Sequence, residues 1–87
     1  MAELRPLFVD LCGKLADPCG RSITISIPTA GCAVAELRAL IAAHDDDLAT
    51  LLATTRVLFC VNDWIVAESD HVMPGDDVAV FPPVSGG

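Results

Sequence analysis

The sequence predicts an α+β domain, a mixed sheet of about five strands packed on one main helix. Three observations carry that expectation. Residues 22–27, Ser22-Ile23-Thr24-Ile25-Ser26-Ile27, alternate polar and apolar without a fault, which is the period of a half-buried strand. Residues 34–43 carry Val34, Leu37, Leu40 and Ile41 at helical spacing on residues of good helix propensity. Short runs rich in Val, Ile and Phe lie on both sides of that helix, separated by Gly, Pro and Asn-Asp turn signals.

The elements follow in order. Residues 7–12, Leu7-Phe8-Val9-Asp10-Leu11-Cys12, read as a first strand. Residues 13–20 hold a turn or a short helical piece, punctuated by Pro18 and Gly20. The alternating strand turns Ile23, Ile25 and Ile27 inward, and Pro28 and Gly31 end it. The main helix starts poorly capped: Ala33 stands where Ser, Thr or Asp is preferred, while Glu36 favours the first turn through the helix dipole. His44-Asp45-Asp46-Asp47 breaks it, and one of these aspartates caps a second short helix over residues 48–53. Residues 56–61 form a third strand, with Val57, Phe59 and Val61 alternating against Leu58 and Cys60. Asn62-Asp63 is a turn signal, after which residues 64–66 return as a short strand. Val72 opens a tight turn through Pro74-Gly75-Asp76, and residues 77–81 form the last strand. A hairpin packed on one long helix, with later strands completing a mixed sheet, is the order of a ubiquitin-like β-grasp, an order that other α+β folds share.

At 87 residues there is room for one domain with one modest core, assigned to residues 1–81, and an extended tail, residues 82–87. The 53% hydrophobic fraction and mean hydropathy of +0.56 suggest a filled core with apolar surface left for a partner. No apolar run approaches the roughly 18 residues of a membrane span. The first residues lack the build of a signal peptide, so a cytoplasmic protein without a membrane role is expected. Twelve Asp and Glu against five Lys and Arg give a formal charge of −7. That argues against nucleic acid, whose phosphates need cations, and favours a basic protein partner or simple solubility.

Side-chain chemistry is thin. Cys12, Cys19, Cys32 and Cys60 show no Cys-x-x-Cys spacing, and they read as small hydrophobes rather than metal ligands or redox pairs. His44 and His71 read as surface residues. The run Asp45-Asp46-Asp47 lacks the spacing of a calcium loop. No glycine-rich phosphate loop is present, so no metal and no cofactor is assigned to this chain. The end is different. Pro82-Pro83 favours an extended departure from the last strand. From Pro82 through Val84-Ser85-Gly86-Gly87 the segment carries the backbone carboxylate up to about 20 Å outward at ~3.3 Å per residue. Gly86 and Gly87 have no Cβ and fit a channel closed to any other residue.

Several stretches together resemble a known family: Gly31-Cys32-Ala33-Val34-Ala35-Glu36-Leu37, Val61-Asn62-Asp63, residues 74–81 and above all Pro82-Pro83-Val84-Ser85-Gly86-Gly87. The chain is similar to the MoaD family of sulfur carriers, the small subunits of molybdopterin synthase, within the MoaD/ThiS group. The resemblance covers essentially the whole chain from Leu7, and the terminal motif is its specific part. It implies that Gly87 is adenylated with ATP and Mg by a ubiquitin-activating-like adenylyltransferase (MoeB-like). The Gly87 carboxyl then becomes a thiocarboxylate. The tail, with Gly86 giving the narrow profile, enters the large synthase subunit (MoaE-like) and donates sulfur to cyclic pyranopterin monophosphate. It further implies that Val9, Ile65 and Phe81 present an apolar patch to both partners, continued by Pro82, Pro83, Val84 and Ser85. Alternatives are a sulfur carrier for thiamine or cysteine synthesis, a ubiquitin-like protein modifier, and a cysteine-based redox or binding module. The chain departs from the family where Ala33 replaces a frequent Thr cap. It departs again where Gly13-Lys14-Leu15 replaces a frequent Arg-Glu-Leu, which removes the arginine for any partner contact made there.

Overall fold

The computed structural model describes residues 3–82. Alternation in β1 (Leu4–Leu11) sends Leu7, Val9 and Leu11 to one face and Phe8 and Asp10 to the other. β2 (Ser22–Pro28) repeats this with its three isoleucines and pairs antiparallel with β1, Leu7 opposite Ile25 and Val9 opposite Ile23. The last strand, β7 (Val78–Phe81), lies parallel to β1, Val9 opposite Val78 and Leu11 opposite Val80. Its other edge takes β4 (Leu58–Val61) antiparallel, and β4 pairs in turn with β5 (Trp64–Val66). The result is a five-stranded mixed sheet in the order β2-β1-β7-β4-β5.

Helices α1 (Val34–His44) and α2 (Asp46–Thr54) share one core with the inner face of that sheet. Leu37, Ile41, Leu48 and Leu52 meet Leu7, Val9, Ile27, Phe59 and Val80, all buried. Arg38 ties the helices together: its guanidinium donates to the Leu52 carbonyl at 2.7 Å and to Glu68 at 3.2 Å. Residues 13–20 contain a 3-10 turn, Gly13–Ala16, which buries Leu15.

Local chemistry explains the helix ends. Asp45 is the N-cap of α2, its Oδ2 accepting from the Leu48 N–H at 3.0 Å. Ala33 gives α1 no side-chain cap. Carbonyls of a distant loop accept instead, Asp70 from the Val34 N–H at 2.8 Å and Glu68 from the Ala35 N–H at 3.0 Å. Those orphan donors would otherwise lack partners. Replacing Asp45 with Ala is expected to cost about 1 kcal/mol, read as a thermal midpoint lower by about 4–8 °C. An unchanged midpoint would show that the cap contributes nothing.

Two short strands differ from the sequence expectation. β3 (Cys32–Ala33) and β6 (His71–Val72) form a separate two-stranded pair, Cys32 opposite Val72 and Ala33 opposite His71. Two residues are too few for a periodic signal. His71 therefore lies in a strand rather than a loop, exposed, with Nε2 2.9 Å from the Ala30 carbonyl oxygen.

The turns are as their residues suggest. Asn62 and Asp63 both take positive φ, 51° and 70°, the pattern of a type I′ hairpin turn. Gly75 at φ 93° and the bond from the Asp76 N–H to the Met73 carbonyl at 3.1 Å fit a type II turn. Asn62 joins the two turns: its Oδ1 accepts from the Asp77 N–H at 2.9 Å and its Nδ2 donates to Asp76 at 3.2 Å.

Candidate functional site

The face of the sheet away from the helices is built by the other half of the alternation. Register places Ile65 opposite Cys60, Cys60 opposite Ala79, Ala79 opposite Asp10 and Asp10 opposite Ser22, one row across the whole sheet. A neighbouring row sets Leu58 opposite Phe81. Ile65 is 69% exposed and Phe81 37% exposed, as a partner contact requires. An open depression of about 440 Å³ lies here, lined by Asp10, Cys60, Asp63, Asp77, Ala79 and Phe81 among others.

The electrostatics of this face are one-sided. Among the described residues the one ion pair is Arg38–Glu68, beside the helices. Asp10, Asp63 and Asp77 rim the apolar strip, and none of them is in an ion pair with a described residue. An apolar strip with an acidic rim complements an apolar surface edged by Lys or Arg.

Val9 does not belong to this face. It is 0% exposed and packs in the core, against the expectation that it presents an apolar patch. The cause is the two-residue period of β1, which turns Leu7, Val9 and Leu11 together toward the helices. Phe8, 64% exposed, holds the outward position that sequence reasoning missed. The usable signal was Asp10: a carboxylate in an apolar strand marks the outer face, and Phe8 shares its parity.

The tail begins at the end of β7. Pro82 is half-buried, against the start of the 3-10 turn at Gly13. Pro83, Val84, Ser85, Gly86 and Gly87 lie outside the described residues.

Among the described residues no group of three or more His, Cys, Asp or Glu side chains is placed to hold a metal ion. Among the described residues no helix is long and apolar enough to cross a membrane. The thiols Cys12, Cys19 and Cys32 are all pushed up from their ordinary range. Burial is the main cause in each, with Asp10 and Cys60 adding to it at Cys12, Asp45 and Asp47 at Cys19, and Glu36 at Cys32. Raised values keep these sulfurs protonated and weakly nucleophilic at neutral pH. Each thus favours the neutral form in the fold. That contribution is complete below the unfolded thiol's value of about 8.5 and is lost as pH rises through the higher folded values. Denaturation midpoints are expected to fall above about pH 9, and to fall less in a variant with all three replaced by Ala. Equal losses in both chains would remove the thiols as the cause.

Comparison with known proteins accords with this geometry. A family model described as the ThiS family matches residues 21–87. The molybdopterin synthase sulfur carrier subunit of Escherichia coli (strain K12) is 32% identical over 84 residues, 97% of this chain and 99% of that protein. Among solved structures, SAMP1 from Haloferax volcanii superposes with a TM-score of 0.76 at 19% identity, over 95% of this chain and 100% of that one. The Haloferax volcanii HVO 2177 protein gives 0.77 at 23% identity, over 97% and 88%. The fold is therefore ubiquitin-like, and with a family match over most of its length the chain belongs to the ThiS/MoaD family.

Proposed function

We propose that this chain is the sulfur carrier of a molybdopterin synthase, with Gly87 as its acting residue. The observation that carries the reading is the near full-length likeness to such a subunit in a chain ending Pro82-Pro83-Val84-Ser85-Gly86-Gly87. A carboxylate is a poor electrophile. Attack of its oxygen on the α-phosphorus of ATP, with Mg on the partner enzyme, releases pyrophosphate and leaves an acyl-adenylate at Gly87. A sulfide-level sulfur donor then attacks the acyl carbon, AMP departs, and a thiocarboxylate remains. The large synthase subunit accepts the tail, and the sulfur passes to cyclic pyranopterin monophosphate. The sheet face with Ile65, Phe81 and Phe8 delivers the tail, and Asp10, Asp63 and Asp77 steer it toward basic partner surfaces. A cytoplasmic setting, where the ATP is, completes the reading.

Intact mass measured after incubation with a MoeB-like adenylyltransferase, ATP, Mg and sulfide tests it. The expected result is a gain equal to one oxygen exchanged for one sulfur, located at Gly87. An unchanged mass, or isopeptide conjugates to other proteins instead, would overturn it.

The docking face has its own test. Ile65→Asp puts a charge on a largely exposed position, so the thermal midpoint is expected to stay put. Affinity for the large subunit, measured by titration calorimetry, should fall about tenfold or more if Ile65 is a central contact. Val9→Asp, which buries the same charge in the core, should fail to fold.

A further inference from the structure

β2 is an outer strand of the five-stranded sheet, with β1 on one side and no described strand on the other. Its open edge is assignable residue by residue. The Leu11 N–H donates to the Arg21 carbonyl at 2.7 Å and the Thr29 N–H to the Glu3 carbonyl at 3.0 Å, one bond at each end of the β1–β2 ladder. In an antiparallel pair both polar groups of a residue point to the same side, and the side alternates along the strand. Ile23, Ile25 and Ile27 therefore bond to β1, while Ser22, Thr24, Ser26 and Pro28 point their groups away from the sheet. Pro28 has no N–H, and its carbonyl accepts from the Gly31 N–H at 2.8 Å. That leaves Ser22, Thr24 and Ser26, all exposed, as the open edge.

Sheet edges are usually blunted by shortness, a charge or a proline. β5, at the far side, has only 3 residues. β2 has 7, none of them charged, with its proline at the end. Beside it a groove of about 460 Å³ runs between the strand and α1, lined by Ser26, Pro28, Glu36, Ala39 and Leu40 among others.

We propose that this edge pairs with the same edge of a second copy of the chain, antiparallel about a twofold axis at Thr24. The open groups are symmetric about that residue. Thr24 meets Thr24 of the second copy, Ser22 meets Ser26 and Ser26 meets Ser22, so every free N–H finds a free carbonyl. Cross-strand neighbours on the outer face are then Thr with Thr and Ser with Ser, a favourable pairing. The same register sets Arg21 of the second copy opposite Ile27, in the inward parity of β2 and beside the groove that holds Glu36. Neither Arg21 nor Glu36 is in an ion pair with a described residue. The twofold gives each an opposite charge, and this complementarity selects a second copy over an unrelated strand. The formal −7 on each chain opposes association, but at physiological salt charges more than about 8 Å apart are largely screened. Ile65 and Phe81 lie on other strands of the sheet and stay exposed in both copies, so the pairing stands independently of the carrier reading.

Sedimentation equilibrium of the full chain at about 0.15 M salt tests the proposal. The expected result is a concentration-dependent rise from the 9.1 kDa chain mass toward twice that value. The dissociation constant should lie at about 10 μM to 1 mM, in keeping with a small interface. Thr24→Pro removes the central N–H where it faces away from β1, so the monomer keeps its ladder. Association should weaken about tenfold or more. Arg21→Glu and Glu36→Arg, both at exposed positions, should each weaken it about fivefold or more, and combining them should restore it to within about twofold. Net charge alone predicts otherwise, because Glu36→Arg reduces the negative charge and the combination leaves it unchanged. In a mixture of labelled and unlabelled chains, Overhauser contacts should join the Hα of Ile23 in one copy to the Hα of Ile25 in the other.

A chain that stays at monomer mass up to about 1 mM overturns the proposal, as does association that survives Thr24→Pro or ignores the charge exchange. Association abolished by Ile65→Asp instead would lie on the outer sheet face and overturn it too. Protection of the Ser22, Thr24 and Ser26 amides that follows an added MoaE-like subunit, and not chain concentration, would give the edge to that partner and likewise overturn it. If Thr24→Pro fails to fold, the charge exchange and the Ile23–Ile25 contact decide.

Discussion

Removing Gly87 is expected to abolish sulfur transfer and leave the domain folded. The described core ends at Val80, and every buried residue of it lies at least seven positions before the deletion. The denaturation midpoint should therefore equal that of the intact chain. The chemistry has no such insulation. The carboxylate moves back by about 3.3 Å, and misplacement of a reacting group by even about 1 Å can cost on the order of a hundredfold. Loss of at least that size is expected in synthase turnover, with no sulfur-for-oxygen gain in intact mass. Because the sheet face is untouched, the shortened chain should still occupy the large subunit and compete with the intact carrier. Full turnover from the shortened chain would sink the carrier reading. Failure to compete, with turnover lost, would instead remove the sheet face as the docking surface.

The second large effect is on stability. Gly31→Ala is expected to cost about 2–5 kcal/mol, the sum of a strained positive φ and an overpacked contact. Gly31 takes a φ of +84°, and a Cβ there would run into the Val72 carbonyl oxygen. It would also stand 2.5 Å from His71 Nε2 and 2.6 Å from Met73 Sδ. The side chains can move aside; the carbonyl belongs to β6, which pairs with β3 beside the start of α1, so it cannot move without them. Gly75→Ala supplies the comparison, with φ +93° and open space around its Cβ. It should cost only the backbone term, about 1–2 kcal/mol. Urea titrations of both variants check this, and equal midpoints would show that the contact at Gly31 is relieved at no cost. Against a typical total of 5–15 kcal/mol, the larger loss would leave a substantial unfolded fraction.

Legibility in the sequence tracked the range of the physics involved. The isoleucine alternation of β2 and the Val34-Leu37-Ile41 stripe of α1 are local patterns, and both elements stand where those patterns place them. Asp45 as a cap and Asn62-Asp63 as a turn are also local. β1 was harder to orient, because Leu7, Phe8, Val9 and Leu11 are all apolar and hydrophobicity alone does not say which parity faces in. The family resemblance, not the strand pattern, places Val9 on the surface, and the apolar run by itself neither contradicts that nor singles out Phe8. The capping of α1 by Asp70 and Glu68 carbonyls was beyond local reading, since it spans more than thirty residues and uses backbone atoms that any residue supplies. The packing of Pro82 on Gly13 is of the same kind.

The place of β7 also has a mechanical meaning. Its strand runs straight into the tail and is hydrogen-bonded on both edges, parallel to β1 and antiparallel to β4. Ladder bonds stand across the strand direction. A pull on a tail gripped by a partner would load those bonds along the strand, several at once, rather than peeling them in turn. A tail rooted in an edge strand would be held by one such ladder instead of two. On the proposed reading, a tail rooted in the middle of the sheet could be drawn out of a partner with the domain as the handle, without unravelling the chain.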